Sequence, residues 1–376
     1  MNEKEIAEIR RRYKPEKHNV SRIRGCYVDA KKDILSEFTQ SLELMTQDEA
    51  ESILSLFRKT LGGTIGKNLI DIEFPNEVVL EGAEHKTLMT LRESELKDDE
   101  EVHNLYKRII DTVRMEEDYL ILLASDKYDV FSYSKNQEQN DESASVFSYI
   151  LCSVCPVRIT KPLLSYYSSE STFHNIAANS VISSPVMGFM FPNFDDRTAN
   201  IYNVTMYTKD IKENHDEFID TVFKSKAQMP AAIQKATFQS ILSNTVAEDC
   251  DIDLVQTVQS KINEMIEAHK ADKDADPIMV TKRTVKKILN ECEINEEKVQ
   301  AFEAEFDTEF GIGAEIHPQN IIDPKKLEVT TPDVTIKVNP ERSDLISTQI
   351  IDGVKYILIR TENDNVELNG VNIHIK

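Results

Sequence analysis

The sequence has 376 residues and a formal net charge of −22, with 40% hydrophobic and 29% charged residues. This length corresponds to about two or three domains, large enough to fold without disulfides or metals, and the composition is ordinary for a globular protein. Its 10 glycines are too few for a glycine-rich nucleotide fold, and its negative charge argues against general nucleic-acid binding, which depends on cationic surfaces.

The N-terminal segment is basic. The first 35 residues carry ten Lys/Arg against six Asp/Glu, including Arg10, Arg11, Arg12, Lys14, Lys17, Arg22 and Arg24. We expect these cations to pair with acidic groups of the same chain; the alternative is a nucleic-acid-binding arm. The segment lacks an apolar core, so no secretory signal is predicted, and five cysteines do not suggest a disulfide framework. These observations predict a cytoplasmic protein with reduced thiols and no membrane segment.

Helical patterns are found in residues 34–61 and 98–114. Apolar residues from Ile34 through Phe38 and Leu42 to Leu61 predict a long helical stretch. Within it, Thr46 precedes Glu49 by three residues, which is the spacing of a capping box. Residues 98–114 predict a second helix.

The stretch "RKTLGGTIGKNLI", residues 58–70, resembles a phosphate-binding loop in its glycines and the lysine that follows the last of them. Such a loop needs a first glycine where this chain has Leu61 and a hydroxyl where it has Asn68, and a strand should precede it. All three requirements fail. The stretch is therefore predicted to be a helix end followed by glycines in left-handed conformations.

Residues 118–208 change to strand patterns. "DYLILLASDKYDVFSYS" predicts a hairpin around Ser125-Asp126-Lys127, and "SVFSYILCSVCPVRIT" predicts a long strand that Pro156 ends, bulges or places at an edge. "VMGFMF" and "ANIYNVTMYT" complete a predicted antiparallel set.

The second half predicts helices and then hairpins. Residues 213–310 contain five segments with apolar residues three or four apart. Asp352-Gly353 and Asn369-Gly370 lie between apolar runs and are typical of two-residue type I′ turns. The predicted fold class is α+β: an antiparallel sheet with flanking helices, a helical segment and a small C-terminal β unit. The predicted domains are residues 1–212, 213–320 and 321–376.

Cys152 and Cys155 have the spacing of a redox or metal-binding pair. They lie at the end of a predicted strand, and a proline follows where a redox motif would begin a helix. A zinc site would need a second pair, which the sequence lacks. The pattern favours a structural role for both cysteines, as small buried side chains in a strand. Redox activity or metal binding is the alternative.

"FPNFDDRTANIYN", residues 191–203, places Asp195, Asp196 and Arg197 on one predicted turn. Adjacent carboxylates can bind a hard cation or act in acid–base catalysis. Alternatively, they cap backbone amides while Arg197 pairs with a neighbour. These three residues are the candidate catalytic residues, and no cofactor is assigned.

Five segments of the sequence together resemble a family of Firmicutes proteins labelled only as a domain of unknown function. They are "SRIRGCYVD", "RKTLGGTIGKNL", "YILCSVCPVRITKPLLSY", "GFMFPNFDDRTANIYN" and "DGVKYILI". The resemblance runs through essentially the whole chain. It implies a bacterial cytosolic protein and no activity, so it transfers no catalytic residue.

The absence of common catalytic motifs favours a non-enzymatic binding or scaffold protein that acts through protein partners. One alternative is a metal-assisted enzyme that acts on a phosphorylated or nucleotide substrate through Asp195, Asp196 and Arg197. The other is a nucleic-acid-associated protein that uses the basic N-terminal arm.

Overall fold

The computed structural model describes residues 1–133, 139–271, 278–323, 327–361, 366–368 and 371–374. The chain divides into two compact units, Met1–Pro230 and Ala231–Lys376. Helices and antiparallel strands alternate irregularly along the first unit, and the second is helical before it becomes strand-rich, which confirms the α+β class. The three-domain division stays a prediction.

The first unit is built on one large sheet. The strands of the unit, not all of which belong to this sheet, are β1 (Arg22–Val28), β2 (Ile34–Ser41), β3 (Leu69–Glu73), β4 (Tyr119–Tyr133), β5 (Gln139–Ile159), β6 (Leu163–Tyr167), β7 (Thr172–Ile176), β8 (Ser180–Ile182), β9 (Met187–Phe191), β10 (Asn193–Asp195), β11 (Thr198–Asn200) and β12 (Asn203–Thr208). The antiparallel order of the main sheet is β2-β1-β4-β5-β9-β12-β3, and β8 also pairs with β5. Two separate hairpins, β6–β7 and β10–β11, complete the strands.

Helices cover both faces of this sheet. They are α1 (Glu3–Arg10), α2 (Gln47–Thr60), α3 (Asn76–Glu81), α4 (Ala83–Glu93), α5 (Asp99–Thr112) and α6 (Asp216–Phe223). Alternate residues of β4 point to opposite faces: Ile121 packs with α4, α5 and α6, whereas Leu122 packs with α1 and α2. Because both faces of the sheet are buried at β4, this strand contains the continuous apolar run "YLILLA".

Two strand segments differ from the sequence prediction. Residues 34–41, predicted as helix, form strand β2 at the edge of the sheet. Their apolar spacing arises because Phe38 covers Gly25, its cross-strand partner in β1. The predicted hairpin around Ser125-Asp126-Lys127 is also wrong, because β4 runs straight through these residues.

Pro156 lies inside β5 and does not end it. On one side, residues 150–154 of β5 pair with β9 and residues 157–159 pair with β8. Pro156 falls between these two partners, where the missing N–H breaks no ladder bond, and its carbonyl accepts from Ser183.

Helix α2 begins and ends as predicted. Thr46 and Glu49 form the capping box, and the helix ends at Thr60. The following Gly63 and Gly66 have φ of +104° and +76°, conformations that glycine adopts without strain. The segment is therefore a helix end and turn.

The second unit begins with four helices, and all five helices predicted over residues 213–310 are present when α6 is included. They are α7 (Ala231–Val246), α8 (Ile252–Ala271), α9 (Lys282–Glu291) and α10 (Glu296–Phe310). They bury one core, which includes Phe238, Ile262 and Phe302. Among the described helices of the whole chain, none is long and apolar enough to cross a bilayer.

Three two-stranded sheets follow among the described residues. Their strands are β13 (Leu327–Thr330), β14 (Thr335–Val338), β15 (Ile346–Ile351), β16 (Val354–Ile359), β17 (Val366–Leu368) and β18 (Val371–Ile373). Asp352 and Gly353 join β15 to β16 with φ of +49° and +80°, which confirms the predicted hairpin. The predicted turn at Asn369-Gly370 lies outside the described residues.

Candidate functional site

Asp195, Asp196 and Arg197 lie at the β10–β11 hairpin. Asp196 and Arg197 form its two-residue turn, with φ of +48° and +58°, and Asp195 is the last residue of β10. Arg197 Nη2 donates to Glu8 Oε1 of α1 at 2.9 Å. Arg197 therefore pairs with a neighbour, which was the structural alternative for this segment.

The Asp195 carboxylate belongs to a polar network. Its Oδ2 accepts from Asn200 Nδ2 at 2.6 Å, and its Oδ1 lies 2.5 Å from the α-amino group of Met1. Asp71 of β3 holds the same region, because it accepts from Asn193 Nδ2 at 2.6 Å and from Asn203 Nδ2 at 3.1 Å. These contacts join the hairpin to the sheet. An enzymatic role for Asp195, Asp196 and Arg197 stays a prediction.

Cys152 and Cys155 are both fully buried on β5. Three residues apart on a strand, they face opposite sides: Cys152 packs beneath α5, and Cys155 packs beneath α2. Burial raises the pKa of Cys155 to about 12 and raises that of Cys152 as well. Both thiols are therefore held in the unreactive, protonated form. Redox or metal roles for this pair stay a prediction.

Metal-ligand types do not gather elsewhere in the described residues. Within the ranges that the structure describes, no group of three or more His, Cys, Asp or Glu side chains is placed to hold a metal ion. All five cysteines are unpaired thiols.

Two residues of the basic N-terminal cluster pair with acidic groups of the first unit. Arg12 donates from Nε and Nη2 to Asp126 at 2.9 and 3.2 Å, and Arg24 donates to Asp99 at 2.6 Å. These pairs match the intramolecular role expected from the sequence. Nucleic-acid binding by the arm stays a prediction.

A cavity of about 740 Å³ lies beside α1, and we call it the basic cavity. Its lining residues are Glu3, Lys4, Ala7, Glu8, Arg11, Arg12, Lys17, Tyr128 and Arg197. Five of these nine are cationic and two are anionic. Arg12 Cζ lies 4.6 Å from the centre of the Tyr128 ring, a cation–π contact that holds the guanidinium in place.

A second cavity, of about 870 Å³, lies at the start of α6. Among its lining residues is His215, whose φ of +53° is a left-handed conformation. Thr208 Oγ1 donates to the carbonyl of Asp210 and lies 2.8 Å from His215 Nε2, so it accepts from the imidazole. Burial lowers the pKa of His215. The same cavity contains more acidic than basic side chains.

A β-ribbon over residues 157–182 of the first unit carries a cluster of exposed apolar side chains. At its base β5 pairs with β8, and beyond the base β6 pairs with β7. Eight of its side chains are 40% to 75% exposed: Ile159, Leu163, Leu164, Tyr166, Tyr167, Phe173, Val181 and Ile182. A smaller exposed apolar set lies on β15 and β16 of the second unit.

Both faces of the β6–β7 hairpin carry these side chains. Leu163 and Tyr167 point to one face, whereas Leu164, Tyr166 and Phe173 share the other. The Tyr166 and Phe173 rings are cross-strand partners with centroids 5.2 Å apart. No prediction from the sequence covers this hairpin. Its signal was the doubled apolar pattern "LLSYY", which lacks the alternation of a strand with one buried face.

A comparison with protein-family models identifies the family of this chain. The sequence model of the family described as "Domain of unknown function (DUF4317)" matches residues 1–371. Searches of the curated proteins and of the solved structures each found no match. The matched description names no activity and no functional residue.

Proposed function

This chain belongs to the family described as a domain of unknown function (DUF4317), and we propose that it is a non-enzymatic scaffold protein that binds a second copy of itself. The observation that carries the proposal is the apolar ribbon of residues 157–182. An isolated two-stranded hairpin is marginal in water, and large exposed apolar patches mark interaction sites. Self-association would bury this surface.

The exposed area suits a specific dimer. If each of the eight apolar side chains buries about 100 Å², about half of what a large aromatic covers, a second copy that covers both faces of the ribbon buries about 800 Å² per copy, and one that covers a single face buries about half of that. Coverage of both faces gives the share that each partner contributes to an interface of standard size. Among the described strands, β6 and β7 pair only with each other, so their outer edges add backbone groups that a two-fold partner can pair with.

The charge distribution favours a second copy over a cationic partner. The ribbon contains two cations, Arg158 and Lys161, and one anion, Glu170, in a chain of net charge −22. Two copies therefore approach with the least repulsion at the ribbon. A cationic protein would instead be attracted to the acidic remainder of the surface.

Internal contacts of the candidate catalytic side chains support a non-enzymatic role. Asp195 and Arg197 each hold a neighbouring element, and burial keeps the thiols of Cys152 and Cys155 protonated. The five unpaired thiols support the proposal of a cytoplasmic location.

The test is the oligomeric state in solution. Sedimentation velocity of the full chain at concentrations up to about 100 µM should show a dimer. The double variant Leu164→Glu/Phe173→Glu adds two charges to one face of β6–β7 and should be monomeric. Both side chains are exposed, so the fold is expected to survive, and circular dichroism with thermal melting checks this.

The matched control is Leu44→Glu/Leu80→Glu, which adds the same charge at exposed apolar positions outside the ribbon. It should dimerise like the unchanged chain. A monomeric unchanged chain would refute self-association, and equal dissociation of both double variants would show that net charge, rather than the ribbon, controls assembly.

A further inference from the structure

The basic cavity beside α1 has no role in self-association through the ribbon. We propose that it binds a small phosphate-bearing anion with the size of a nucleoside di- or triphosphate. The proposal stands on the composition of the lining, the fixation of its guanidinium groups and its volume.

The lining concentrates positive charge in an otherwise acidic protein. Five of its nine residues are Lys or Arg, although the whole chain has a net charge of −22. A concave site lined by charge of one sign focuses its field and attracts ligands of the opposite sign. Arginine forks match phosphate oxygens in geometry and bind them with charge-assisted hydrogen bonds.

Two of the guanidinium groups are positioned by the fold. Arg12 uses Nε and Nη2 to bind the Asp126 carboxylate and the Lys127 carbonyl, which leaves its Nη1 donors outside these bonds. The Arg197 guanidinium is held by Glu8. A ligand that binds here therefore does not have to order these side chains, and such preorganisation favours binding.

Much of the acidic part of the lining is already engaged. The Glu8 carboxylate accepts from Arg197 at 2.9 Å and from the Tyr128 hydroxyl. In contrast, the Arg11 and Lys17 side chains are exposed and form no ion pair within the part of the chain that the structure describes. Their charge is available to an incoming anion.

The size of the cavity selects among anions. A volume of about 740 Å³ lies within the range of roughly 300–1,000 Å³ typical of small-molecule sites and exceeds what a single phosphate fills. A nucleic acid is disfavoured, because the net charge of −22 on the whole chain repels an extended polyanion. The favoured ligand is compact and carries two or three phosphates.

Isothermal titration calorimetry of the full chain tests the site, with inorganic pyrophosphate and ATP as separate probes. Arg11→Gln/Lys17→Gln removes two lining charges. The matched control, Arg10→Gln/Lys14→Gln, removes two charges from the same segment, but neither residue lines the cavity. We expect ATP to bind the unchanged chain and the lining variant to weaken binding at least about tenfold, or about 1.4 kcal/mol. The control should stay within about twofold.

Three results would overturn the proposal. The first is no binding of either probe to the unchanged chain. The second is equal weakening in both double variants, which would indicate the general field of the N-terminal segment rather than the cavity. The third is tight binding of a single-stranded oligonucleotide that excess ATP does not displace. Melting temperatures equal to that of the unchanged chain confirm that the fold of both variants is intact.

Discussion

Asp126 is the most enclosed ion-pair partner described in the first unit. Its carboxylate accepts from Arg12, from the Tyr149 hydroxyl at 2.9 Å and from the backbone N–H of Asn19 at 3.1 Å. The Asp126 side chain is fully buried. Burial, with the nearby charge of Asp126, also raises the pKa of Tyr149, which keeps its hydroxyl available as a donor. This network fixes the N-terminal segment against β4 and β5.

Removal of the Asp126 carboxylate should therefore be costly. We expect Asp126→Ala to lower the free energy of unfolding by about 3–5 kcal/mol, because it leaves Arg12 and Tyr149 without their buried acceptor. The matched control is Asp99→Ala, which removes the 83% exposed partner of Arg24 and should cost less than about 1 kcal/mol. Urea denaturation measures both. Similar losses would show that the buried network has no special weight.

His215 should make stability depend on pH. Burial lowers its pKa below the ordinary value of 6.5, against the weaker opposing effects of Glu213 and Asp210. Below that value the unfolded chain takes up a proton that the folded chain resists. The stability contributed by neutral His215 is therefore complete above the unfolded pKa and is lost as pH falls through 6.5 towards the folded pKa.

The variant His215→Asn isolates this effect, because asparagine tolerates the left-handed backbone. At about pH 7 it should cost about 1 kcal/mol through the lost contact with Thr208. Between about pH 7 and about pH 5, its stability should fall less than that of the unchanged chain. Urea denaturation across this range measures the difference, and parallel curves would exclude His215 as the titrating group.

At the scale of elements, most helices and strands follow from the sequence, and the exceptions have identifiable causes. Strand β2 was predicted as helix because Ile34, Phe38 and Leu42 are spaced four apart. In the sheet, Phe38 covers Gly25, and this contact depends on a partner strand that local periodicity does not reveal. The polar run around Asp126 is typical of a turn. Asp126 is instead buried in a strand because it pairs with Arg12, which lies 114 residues away and which the local sequence does not reveal.

The candidate site was predictable only in part. The β10–β11 turn could be placed because Asp195, Asp196 and Arg197 form a polar run between apolar segments. The exposure of the ribbon could not be predicted, because the side chains of Leu164 and Tyr166 are equally typical of core residues. What distinguishes them is their exposure, because no helix of the described residues packs closely on β6–β7, and this is a property of the tertiary structure.

Close packing of α2 on the sheet depends on Gly188 of β9. A Cβ at this position would lie 2.2 Å from the Cys152 carbonyl oxygen and 2.7 Å from Thr60 Cγ2. We expect Gly188→Ala to cost about 2–3 kcal/mol, because neither the strand nor the helix end can move freely. The control is Gly25→Ala, where the three atoms nearest to the added Cβ, at 2.1 to 2.6 Å, all belong to the ring of Phe38. This side chain lies on edge strand β2 and can rotate away, so the cost should be less than about 1 kcal/mol. Equal costs in thermal or urea unfolding would refute this tight contact.

At the scale of the whole molecule, charge and apolar surface act in opposite directions on self-association. Each copy has a net charge of −22, so two copies repel at long range. The ribbon offers an apolar surface with two cations and one anion. The proposed dimer is thus stabilised by hydrophobic burial and destabilised by the remainder of each surface.

This balance predicts that added salt strengthens the dimer. Raising NaCl from about 0.05 M to about 0.5 M shortens the screening length to well below the size of the molecule and removes most of the repulsion. We expect the dimer Kd to fall roughly two- to tenfold, measured by sedimentation equilibrium at both salt concentrations. The control Leu44→Glu/Leu80→Glu should show a salt effect in the same direction as the unchanged chain. A dimer that weakens as salt rises would instead point to an interface of opposite charges and would contradict assembly through the apolar ribbon.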